Sequence, residues 1–590
     1  MCGIIGYVGN EQAAPVVLGA LKRLEYRGYD SAGIATIGDD CLHIGKDKGK
    51  LAEVAQKCDL ISLPGQVGIG HVRWATHGGA TKNNAHPHCD NKKQIAVVHN
   101  GIIDNYAELK TLLSAKYSFV SETDTEVIPH LIRYYMDSGF TFENAFFTAV
   151  KELKGSFAIL AVYALEPDKI LAARKESPMV VGLGKNANYI GSDILSFLPY
   201  TKQYVLIEDG EKLVITREKV SIYDENDKEL FKKPQTAEID WEDGNRGDYD
   251  HFMLKEIEEQ PQAIKQALIQ DEKLLMQMAR EIKEARQLVF VACGTSRHAA
   301  LIGRYAFSKV GHVFSDVVMG SEFSYFADSI HKNTIVFAIS QSGETADVMD
   351  GVRLAKANGA KIFSIVNVVS SSLARASDRV LYMNCGPEIG VAATKSFTAQ
   401  LCLLYQIAFD LADRLHEVQA KLRKISTEIR SEIEYYSTFI PDVANKLSDK
   451  KDFYYIARGV NFAVASEGAL KLKEIAYVHA EGMSAGELKH GTLALIEAGT
   501  PVIAICPTDY TFDDSMANIM EAKARGAYVI GLSDSNSMIF DDHIKISKTD
   551  EIMYPLVTTI PLQVLAYYSA LARGLDPDKP RNLAKSVTVR

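Results

Sequence analysis

The second residue of the chain is a cysteine that could act as a nucleophile. Removal of Met1, which a side chain as small as that of Cys2 permits, would leave a thiol and a free α-amine on one residue. A thiol titrates near ~8.5 and an α-amine near ~8 in model compounds, so the amine can accept the thiol proton close to neutral pH. This is the N-terminal form of nucleophile-and-base catalysis. The alternative is that Cys2 simply opens an apolar strand as a small buried residue.

Polar residues follow several apolar runs of the first 125 residues, where strands should end. Arg73 and Asp124 are the kind of pair that a free amino acid requires, because its carboxylate takes a bidentate cation and its ammonium group an anion. The Asn100 side chain and the Gly101 amide could donate two hydrogen bonds to a tetrahedral oxyanion. The ordinary alternatives are a salt-bridged arginine, an Asn-Gly turn and a helix-capping aspartate.

A hydroxyl-rich segment in the second half of the chain could bind an anion. The segment 340–345 (Ser-Gln-Ser-Gly-Glu-Thr) follows a predicted strand at Thr334 to Ile339 and precedes a helical pattern, and Thr295 and Ser296 follow the preceding strand in the same way. Hydroxyl and amide groups at a helix N-terminus bind phosphate without a lysine. The alternative is simple helix capping by Ser and Thr. No Gly-x-x-x-x-Gly-Lys motif occurs, which argues against a nucleoside triphosphate.

Two further features of the second half suggest acid and base groups. A helical pattern from Ala465 to Ala480 places Glu467, Lys471 and Glu474 on one face. A salt-bridged, solvent-facing helix surface would explain that arrangement. His490 lies between Gly486 and Gly491, and a histidine in such a turn could donate or accept a proton near neutral pH.

The elements that must position these residues differ between the two parts of the chain. The first 235 residues carry short strand patterns and few helical ones, such as Ala13 to Leu24 and Thr125 to Met136, which predicts an α+β domain with much antiparallel sheet. Tyr204 to Ile207 and Lys212 to Ile215 predict a hairpin. The other predicted strands are Gly68 to Val72, Ile95 to His99, Ser156 to Val162 and Lys169 to Ala173.

Beyond a polar stretch around 231–250, strands alternate with helices, which predicts parallel sheets built from βαβ units. The predicted strands are Leu288 to Ala292, Thr334 to Ile339 and Lys361 to Val366. The same order of patterns recurs about 165 residues later, for example Val289 to Gly294 against Tyr454 to Gly459. The second half therefore consists of two similar α/β subdomains.

The composition limits the classes of partner. The 590 residues predict several domains, the formal net charge of −10 argues against nucleic acid, and the eight scattered cysteines are typical of the reduced cytoplasm. The apolar stretch around Leu401 to Ala412 is too short to span a bilayer and predicts a buried helix, so no membrane partner is expected. The segment His86 to Cys89, with His71 and His77 nearby, contains metal-ligand types. A structural zinc site needs a second ligand pair, so no metal is expected.

The first part of the chain resembles the class II glutamine amidotransferases. The resemblance implies an N-terminal-nucleophile (αββα) fold in which Cys2 attacks the side-chain amide of glutamine, Asn100 and Gly101 hold the oxyanion, and Trp74 gates the ammonia. The matching motifs are Cys2-Gly3-Ile4, Tyr26-Arg27-Gly28-Tyr29-Asp30-Ser31-Ala32-Gly33, Arg73-Trp74-Ala75-Thr76-His77-Gly78, Asn84-Ala85-His86-Pro87-His88 and His99-Asn100-Gly101. The residues assigned to glutamine binding are Arg73, Trp74, Thr76, His77, His86 and Asp124.

The second half resembles the sugar isomerase (SIS) domains of the glucosamine-6-phosphate synthase family, and the similarity runs essentially from end to end. The matching motifs are the 340–345 segment, Gly486 to Gly491 and Arg581 to Ser586. The resemblance implies that Lys585 forms an imine with the sugar ketone, His490 assists ring opening and Glu474 moves a proton between C1 and C2. The residues assigned to the sugar phosphate are Thr295, Ser296, Ser340, Gln341, Ser342, Thr345 and Lys471. Ala393 and Thr492 stand where relatives often have serine and proline.

Together these resemblances imply a glutamine-dependent enzyme that aminates and isomerises fructose 6-phosphate, the first step toward UDP-N-acetylglucosamine. Expected are L-glutamine and D-fructose 6-phosphate as substrates, a homodimer, no cofactor and a cytoplasmic location. The expected boundaries are 1–235 for the amidotransferase domain, 236–250 for the linker, 251–425 and 426–575 for the SIS subdomains, and 576–590 for a tail carrying the Schiff-base lysine.

Two kinds of alternative function would use parts of the same sequence. Other amidotransferases are disfavoured because the chain lacks a Ser-Gly-Gly pyrophosphate loop, and because Asp513-Asp514 does not end an apolar strand as a phosphoribosyl-pyrophosphate site would require. A non-catalytic sugar-phosphate sensor would need the phosphate-binding loop but neither Glu474 nor Lys585.

Overall fold

The structure, a computed structural model, describes residues 2–237 and 245–588 and separates into two units. The first unit comprises the chain up to residue 245 together with the tail from residue 584, and the second comprises residues 246–583. Of the predicted linker, positions 238–244 lie outside the described residues.

The described part of the first unit is built on two antiparallel sheets. The strands are β1 (Gly3–Gly9), β2 (Ser31–Gly38), β3 (Cys41–Lys48), β4 (Val67–Arg73), β5 (His88–Cys89), β6 (Ile95–Ile103), β7 (Gly155–Tyr163), β8 (Lys169–Lys175), β9 (Val180–Leu183), β10 (Ala187–Gly191), β11 (Gln203–Leu206), β12 (Lys212–Thr216), β13 (Val220–Tyr223), β14 (Glu229–Leu230) and β15 (Gln235–Thr236). One sheet has the order β15-β11-β9-β10-β1-β4-β2-β3, and the other has the order β14-β13-β12-β8-β7-β6-β5.

Helices cover the outer face of each sheet. They are α1 (Ala13–Leu24), α2 (Leu51–Lys57), α3 (Tyr106–Leu113), α4 (Val127–Asp137) and α5 (Phe142–Glu152). Buried side chains such as Ile69 and Leu160 fill the space between the sheets, Val17 of α1 packs in the cluster behind the first sheet, and Phe146 of α5 packs in the cluster behind the second. The layers are therefore helix, sheet, sheet and helix, which confirms the predicted αββα class.

The predicted hairpin between β11 and β12 is wrong, because the two strands lie in different sheets. β11 pairs with β9, whereas β12 pairs with β8 and β13. Val205 on β11 and Leu213 on β12 both point into the core between the sheets, one from each sheet. Each strand therefore shows the alternating pattern although the two are not paired. The buried Arg174 side chain binds the carbonyl oxygens of Ile207 and Ser177 and so holds the chain where it crosses from one sheet to the other.

The second unit contains two five-stranded parallel sheets. Its strands are β16 (Gln287–Ala292), β17 (Asp316–Met319), β18 (Thr334–Ser340), β19 (Lys361–Val366), β20 (Arg379–Tyr382), β21 (Asp452–Ala457), β22 (His479–Ser484), β23 (Pro501–Ile505), β24 (Tyr528–Ser533) and β25 (Asp542–Lys545). The orders β17-β16-β18-β19-β20 and β22-β21-β23-β24-β25 are identical in topology. The predicted duplication is therefore confirmed.

The helices of the second unit pack between and around these sheets. They are α6 (Phe252–Glu258), α7 (Gln260–Ala267), α8 (Glu272–Glu284), α9 (Gly294–Lys309), α10 (Ala346–Ala357), α11 (Ser372–Ala376), α12 (Lys395–Asp410), α13 (Leu415–Lys446), α14 (Asn461–Ala476), α15 (Phe512–Lys523) and α16 (Tyr554–Ala572). Every residue of α12 is buried, as predicted for its apolar stretch. One cluster joins α12 to side chains of both sheets, such as Phe290 and Tyr455, so the two subdomains share a core.

One helix of the described residues, spanning Glu551–Ala572, is long and apolar enough to cross a membrane. It includes α16 and carries a longer uncharged run than the α12 stretch. Of its most apolar window, 83% is buried inside the protein, and the core helix of a globular domain has the same properties.

Candidate functional site

Cys2 immediately precedes β1, and its thiol contacts the backbone of Trp74. The Cys2 Sγ lies 3.4 Å from both the carbonyl oxygen and the amide nitrogen of Trp74. Burial raises the pKa of the thiol. A base is therefore needed to produce thiolate at neutral pH.

Asn100 and Gly101 lie inside strand β6 rather than in a turn, so the turn alternative is wrong. Asn100 is paired with Ala158 of β7, and its Nδ2 donates to the Cys2 carbonyl oxygen at 3.0 Å and to Ser192 Oγ at 2.8 Å. Gly101 has φ +127°, and a Cβ there would lie 2.0 Å from the Ser156 carbonyl oxygen. The close approach of β6 and β7 thus requires glycine directly after Asn100.

Arg73 ends β4 and is buried, with its guanidinium group turned toward the loop that follows. It donates to the carbonyl oxygens of His77 at 2.5 Å and Gly78 at 3.1 Å. Arg73 therefore holds this loop and does not form the salt bridge that was the ordinary alternative. The buried Asp124 accepts a hydrogen bond from the Ile103 amide at 2.8 Å. Helix α4 begins only at Val127, with no side-chain capping bond, so the predicted capping role of Asp124 is wrong.

The same loop carries the other predicted glutamine-binding residues. Trp74 and His77 are half-buried, whereas Thr76 is exposed. The Ala75 amide donates to the Asp30 carboxylate at 2.8 Å, and the His77 ring meets the Tyr106 ring edge-on. These contacts and those of Arg73 fix the loop beside Cys2.

Buried histidines form a layer beneath this site. His86 Nε2 and His99 Nδ1 lie 3.0 and 2.9 Å from Thr125 Oγ1, and the His71 ring stacks on His86 with centroids 4.0 Å apart. Burial lowers the pKa of His71 to about 3 and lowers the pKa of His86 and His99. These rings are therefore neutral at physiological pH. Among the described residues, no group of three or more His, Cys, Asp and Glu side chains could hold a metal ion.

In the second unit, the hydroxyl-rich segment links β18 to α10. Ser340 Oγ accepts from the Gly343 amide at 3.0 Å and lies 2.8 Å from Thr345 Oγ1, and Ser342 Oγ accepts from the Glu344 amide at 3.2 Å. Thr345 is the N-cap of α10, but its side chain makes no capping bond. The hydroxyl groups thus order the loop itself, and the simple capping alternative is wrong.

Two other residues predicted to bind the phosphate lie just after the ends of strands, as expected. The backbone of Gln341 accepts a hydrogen bond from the Asn367 amide at 3.0 Å. Ser296, in the first turn of α9, accepts from Gln400 Nε2 at 3.1 Å.

The charged face of α14 is buried, which contradicts the solvent-facing alternative. Glu467 and Lys471 side chains are 0% and 1% exposed. Lys471 Nζ lies 2.6 Å from Glu474 Oε2, 3.5 Å from Glu467 Oε1 and 3.0 Å from Thr295 Oγ1. The cluster therefore joins the first turn of α9 to one face of α14.

The predicted helix end was also wrong, because α14 stops at Ala476 and not at Ala480. Tyr477 adopts the left-handed conformation with φ +56°, which ends the helix, and the next residues form β22.

His490 is exposed at the end of the 3₁₀ helix Ala485–His490. Lys585 belongs to the part of the tail that groups with the first unit.

In the second five-stranded copy, a carboxylate lies in the loop that corresponds to the hydroxyl-rich segment. After β23, the Asp509 side chain accepts from Thr511 Oγ1 at 2.6 Å, from the Thr511 amide at 2.8 Å and from Asn461 Nδ2 at 3.2 Å. A negative charge with internal hydrogen-bond partners occupies the place that the hydroxyl groups hold in the first copy.

Sequence reasoning missed several residues that make these contacts. Ser192 follows β10 and binds both Asn100 and the Ile4 amide, Thr125 joins two histidines, and His298 binds Glu467. A polar residue directly after a strand was the available signal for Ser192. No local pattern distinguishes Thr125 or His298, because their partners are distant in the chain.

Comparison with known proteins matches these two units to two kinds of domain. A model of the glutamine amidotransferase domain matches residues 71–199, and a model of the SIS domain matches residues 281–409 and 446–573. The fold and the sites therefore define an amidotransferase joined to a duplicated sugar isomerase domain.

Full-length relatives are glutamine–fructose-6-phosphate aminotransferases (isomerizing). Those from Thermococcus kodakarensis and Methanothermobacter thermautotrophicus are 47% and 46% identical, with all of both chains covered. The chain belongs to this family. A solved structure, the C-terminal domain of glucosamine-fructose-6-phosphate aminotransferase from Francisella tularensis, covers 57% of this chain and all of its own, with a TM-score of 0.53 and 33% identity.

Proposed function

We propose that the chain hydrolyses L-glutamine and passes the ammonia internally to D-fructose 6-phosphate, which it converts to D-glucosamine 6-phosphate. The observations that carry this proposal are the contact of Asn100 with Cys2 and the pairing of the buried Lys471 with Glu474 beside the Thr295 hydroxyl, on one chain of this family. The product is the first intermediate on the route to UDP-N-acetylglucosamine.

In the first unit, the amine freed by removal of Met1 takes the proton of Cys2, and the thiolate attacks the glutamine side-chain amide. Asn100 and the Gly101 amide stabilise the oxyanion. Collapse of the intermediate releases ammonia, and water then cleaves the thioester to give glutamate. The glutamine-binding residues are Arg73, Trp74, Thr76, His77, His86 and Asp124, with Trp74 gating the ammonia.

In the second reaction, Lys585 forms an imine with the C2 ketone and releases water, and ammonia then displaces the lysine. His490 assists ring opening, and Glu474 moves a proton from C1 to C2. The pairing of Glu474 with Lys471 supports this role, because a carboxylate held at a closed site suits proton transfer beside an imine. The phosphate is held by Thr295, Ser296, Ser340, Gln341, Ser342 and Thr345.

The proposal extends to organisation in the cell. We propose a cytoplasmic homodimer without nucleic-acid or membrane partners, and domains at 1–235, 251–425 and 426–575 with a linker at 236–250 and a functional tail at 576–590. The negative net charge supports the absence of a nucleic-acid partner, and the division of the chain into two units at residue 245 supports the linker.

The test is to mix purified protein with glutamine and fructose 6-phosphate and to measure glutamate and hexosamine phosphate. Equal amounts of both are expected. Lys585→Ala should bind the sugar phosphate yet form no adduct that borohydride traps, whereas Lys548→Ala on the exposed surface should form it normally. Sugar-phosphate binding by the wild-type protein without any product would instead favour the non-catalytic sensor.

A further inference from the structure

His298 binds the carboxylate at the centre of the α9–α14 cluster. Its Nδ1 lies 2.7 Å from Glu467 Oε2, and the two side chains are 11% and 0% exposed. His298 is on α9 of the first SIS copy and Glu467 is on α14 of the second. This hydrogen bond therefore ties the helices of the two copies together at the cluster.

The other oxygen of the same carboxylate sets the orientation of Thr295. The Thr295 hydroxyl donates to Glu467 Oε1 at 3.0 Å and accepts from Lys471 Nζ at 3.0 Å. A hydroxyl group has one proton, so a Thr295 hydroxyl that donates to Glu467 presents its lone pairs to Lys471. Thr295 and His298, both on α9, thus bind one oxygen of Glu467 each.

Glu467 also contributes to the charge of Lys471. Burial alone would lower the pKa of Lys471, but the carboxylates of Glu474 and Glu467 outweigh this effect and raise it. The lysine therefore stays protonated and holds Glu474 at 2.6 Å. A Glu467 side chain that turned away would leave Thr295 and Lys471 without the carboxylate that they share, and the ammonium group that pairs with Glu474 would no longer be fixed from its other side.

We infer that His298 is a positioning residue for the sugar-isomerising site, acting through Glu467 on Thr295, Lys471 and Glu474. The inference rests on the proposed function. Without the His298 N–H group, Glu467 Oε2 would be a buried carboxylate oxygen lacking its donor, which is costly enough to make the side chain turn. A displacement of ~1 Å in a catalytic group can lower a rate ~100-fold.

The test compares His298→Ala with His298→Asn in the full-length protein. The Asn amide nitrogen can replace the Nδ1–H donor, whereas Ala cannot. For His298→Ala we expect kcat for hexosamine phosphate formation to fall ~30- to 100-fold, while KM for fructose 6-phosphate rises by ~10-fold at most, because Thr295 is one of several groups that hold the phosphate. For His298→Asn we expect kcat to return to within ~5-fold of wild type. His312→Ala, at an exposed histidine after α9, serves as the matched control.

Three outcomes are informative. Wild-type kcat in His298→Ala would overturn the inference, and so would an Asn variant as impaired as the Ala variant although both unfold at the wild-type temperature. Glutamate release by the first unit should be the same in all variants, which separates a local effect from loss of fold. Failure of the wild-type protein to form hexosamine phosphate would instead overturn the proposed function.

Discussion

At the scale of the residue, Cys2 contacts the Trp74 backbone and the Asn100 side chain, and we propose that it carries the first half of the chemistry. The thiol is buried enough that its pKa is raised, so its reactivity depends on a base in contact with it. The proposed base is the α-amine of Cys2 after removal of Met1, because it is attached to the same residue and no second side chain has to be positioned.

Replacement of Cys2 by Ala should abolish glutamate release, because it removes the proposed nucleophile beside Asn100. Sugar-phosphate binding should be unchanged, since that loop is in the second unit. Calorimetry with fructose 6-phosphate and an assay for glutamate measure the two properties. Cys41→Ala, at an exposed cysteine, is the control. Glutamate release that persists in Cys2→Ala would refute the nucleophile assignment.

The buried histidines predict how stability varies with pH. The pKa of His71 is about 3 in the folded protein and ~6.5 when unfolded, so the unfolded state binds more protons between these values. Stability is therefore complete above pH ~6.5 and declines as the pH falls, by ~1.4 kcal/mol per pH unit for this group. Urea unfolding followed by tryptophan fluorescence measures it, because both tryptophans, Trp74 and Trp241, precede residue 246.

The matched variant is His71→Gln, which keeps an N–H group near the His99 carbonyl oxygen and removes the titrating ring. Its stability should decline less steeply between pH 6.5 and 5, by ~1.4 kcal/mol per pH unit. An unchanged slope would show that His71 does not contribute.

Several site residues could be found from the sequence because short motifs carry them. Glu467 could be placed on the correct helix face but not in the interior, because a periodic row of charges looks the same on a solvent-facing helix and on a buried one. Its burial depends on α9, which is about 170 positions earlier in the chain. Contacts of that kind are set by tertiary packing, which local patterns do not encode.

At the scale of the element, β6 shows how a strand can carry both a fold requirement and a site. Asn100 faces Cys2, while the next residue must be glycine for β6 to pair with β7. Gly101→Ala would place a Cβ 2.0 Å from the Ser156 carbonyl oxygen at φ +127°.

We therefore expect Gly101→Ala to destabilise the first unit by more than ~3 kcal/mol and to abolish glutamate release. Gly19→Ala is the control, because its Cβ would meet neighbours only at 3.5 Å and beyond. Alanine in the middle of α1 should raise stability by up to ~1 kcal/mol. Urea unfolding of both variants measures the difference, and a Gly101→Ala protein of wild-type stability would contradict the argument.

Most strands could be predicted because alternation and apolar runs are local signals. The β11–β12 hairpin could not, because alternation shows that one face of a strand is buried without identifying the strand beside it. Val205 and Leu213 bury their side chains in the same core from opposite sheets. Only the pairing of β12 with β8 decides between the two arrangements.

At the scale of the whole molecule, the two SIS copies share one topology but not one site. The loop after β18 presents hydroxyl groups, whereas the loop after β23 holds the Asp509 carboxylate. A phosphate group would meet a like charge in the second loop.

We expect one fructose 6-phosphate to bind per chain and not two. Isothermal titration of the wild-type protein measures the stoichiometry. Ser340→Ala should weaken that single binding event by ~10-fold, since it removes the acceptor of the Gly343 amide and a partner of Thr345. Ser329→Ala, in an exposed turn, should leave the affinity unchanged. A stoichiometry of two would contradict this account.

The Asp509 loop also bears on how a duplicated domain diverges. A copy that no longer recognises a ligand is free of selection for that ligand, yet its sheet and helices still bury the apolar surface of its twin. In this chain the second copy supplies Glu467 and Lys471, which bind Thr295 and His298 of the first copy. A single bound sugar phosphate per chain would therefore mean that one half of the doubled domain kept the ligand while the other half became its support.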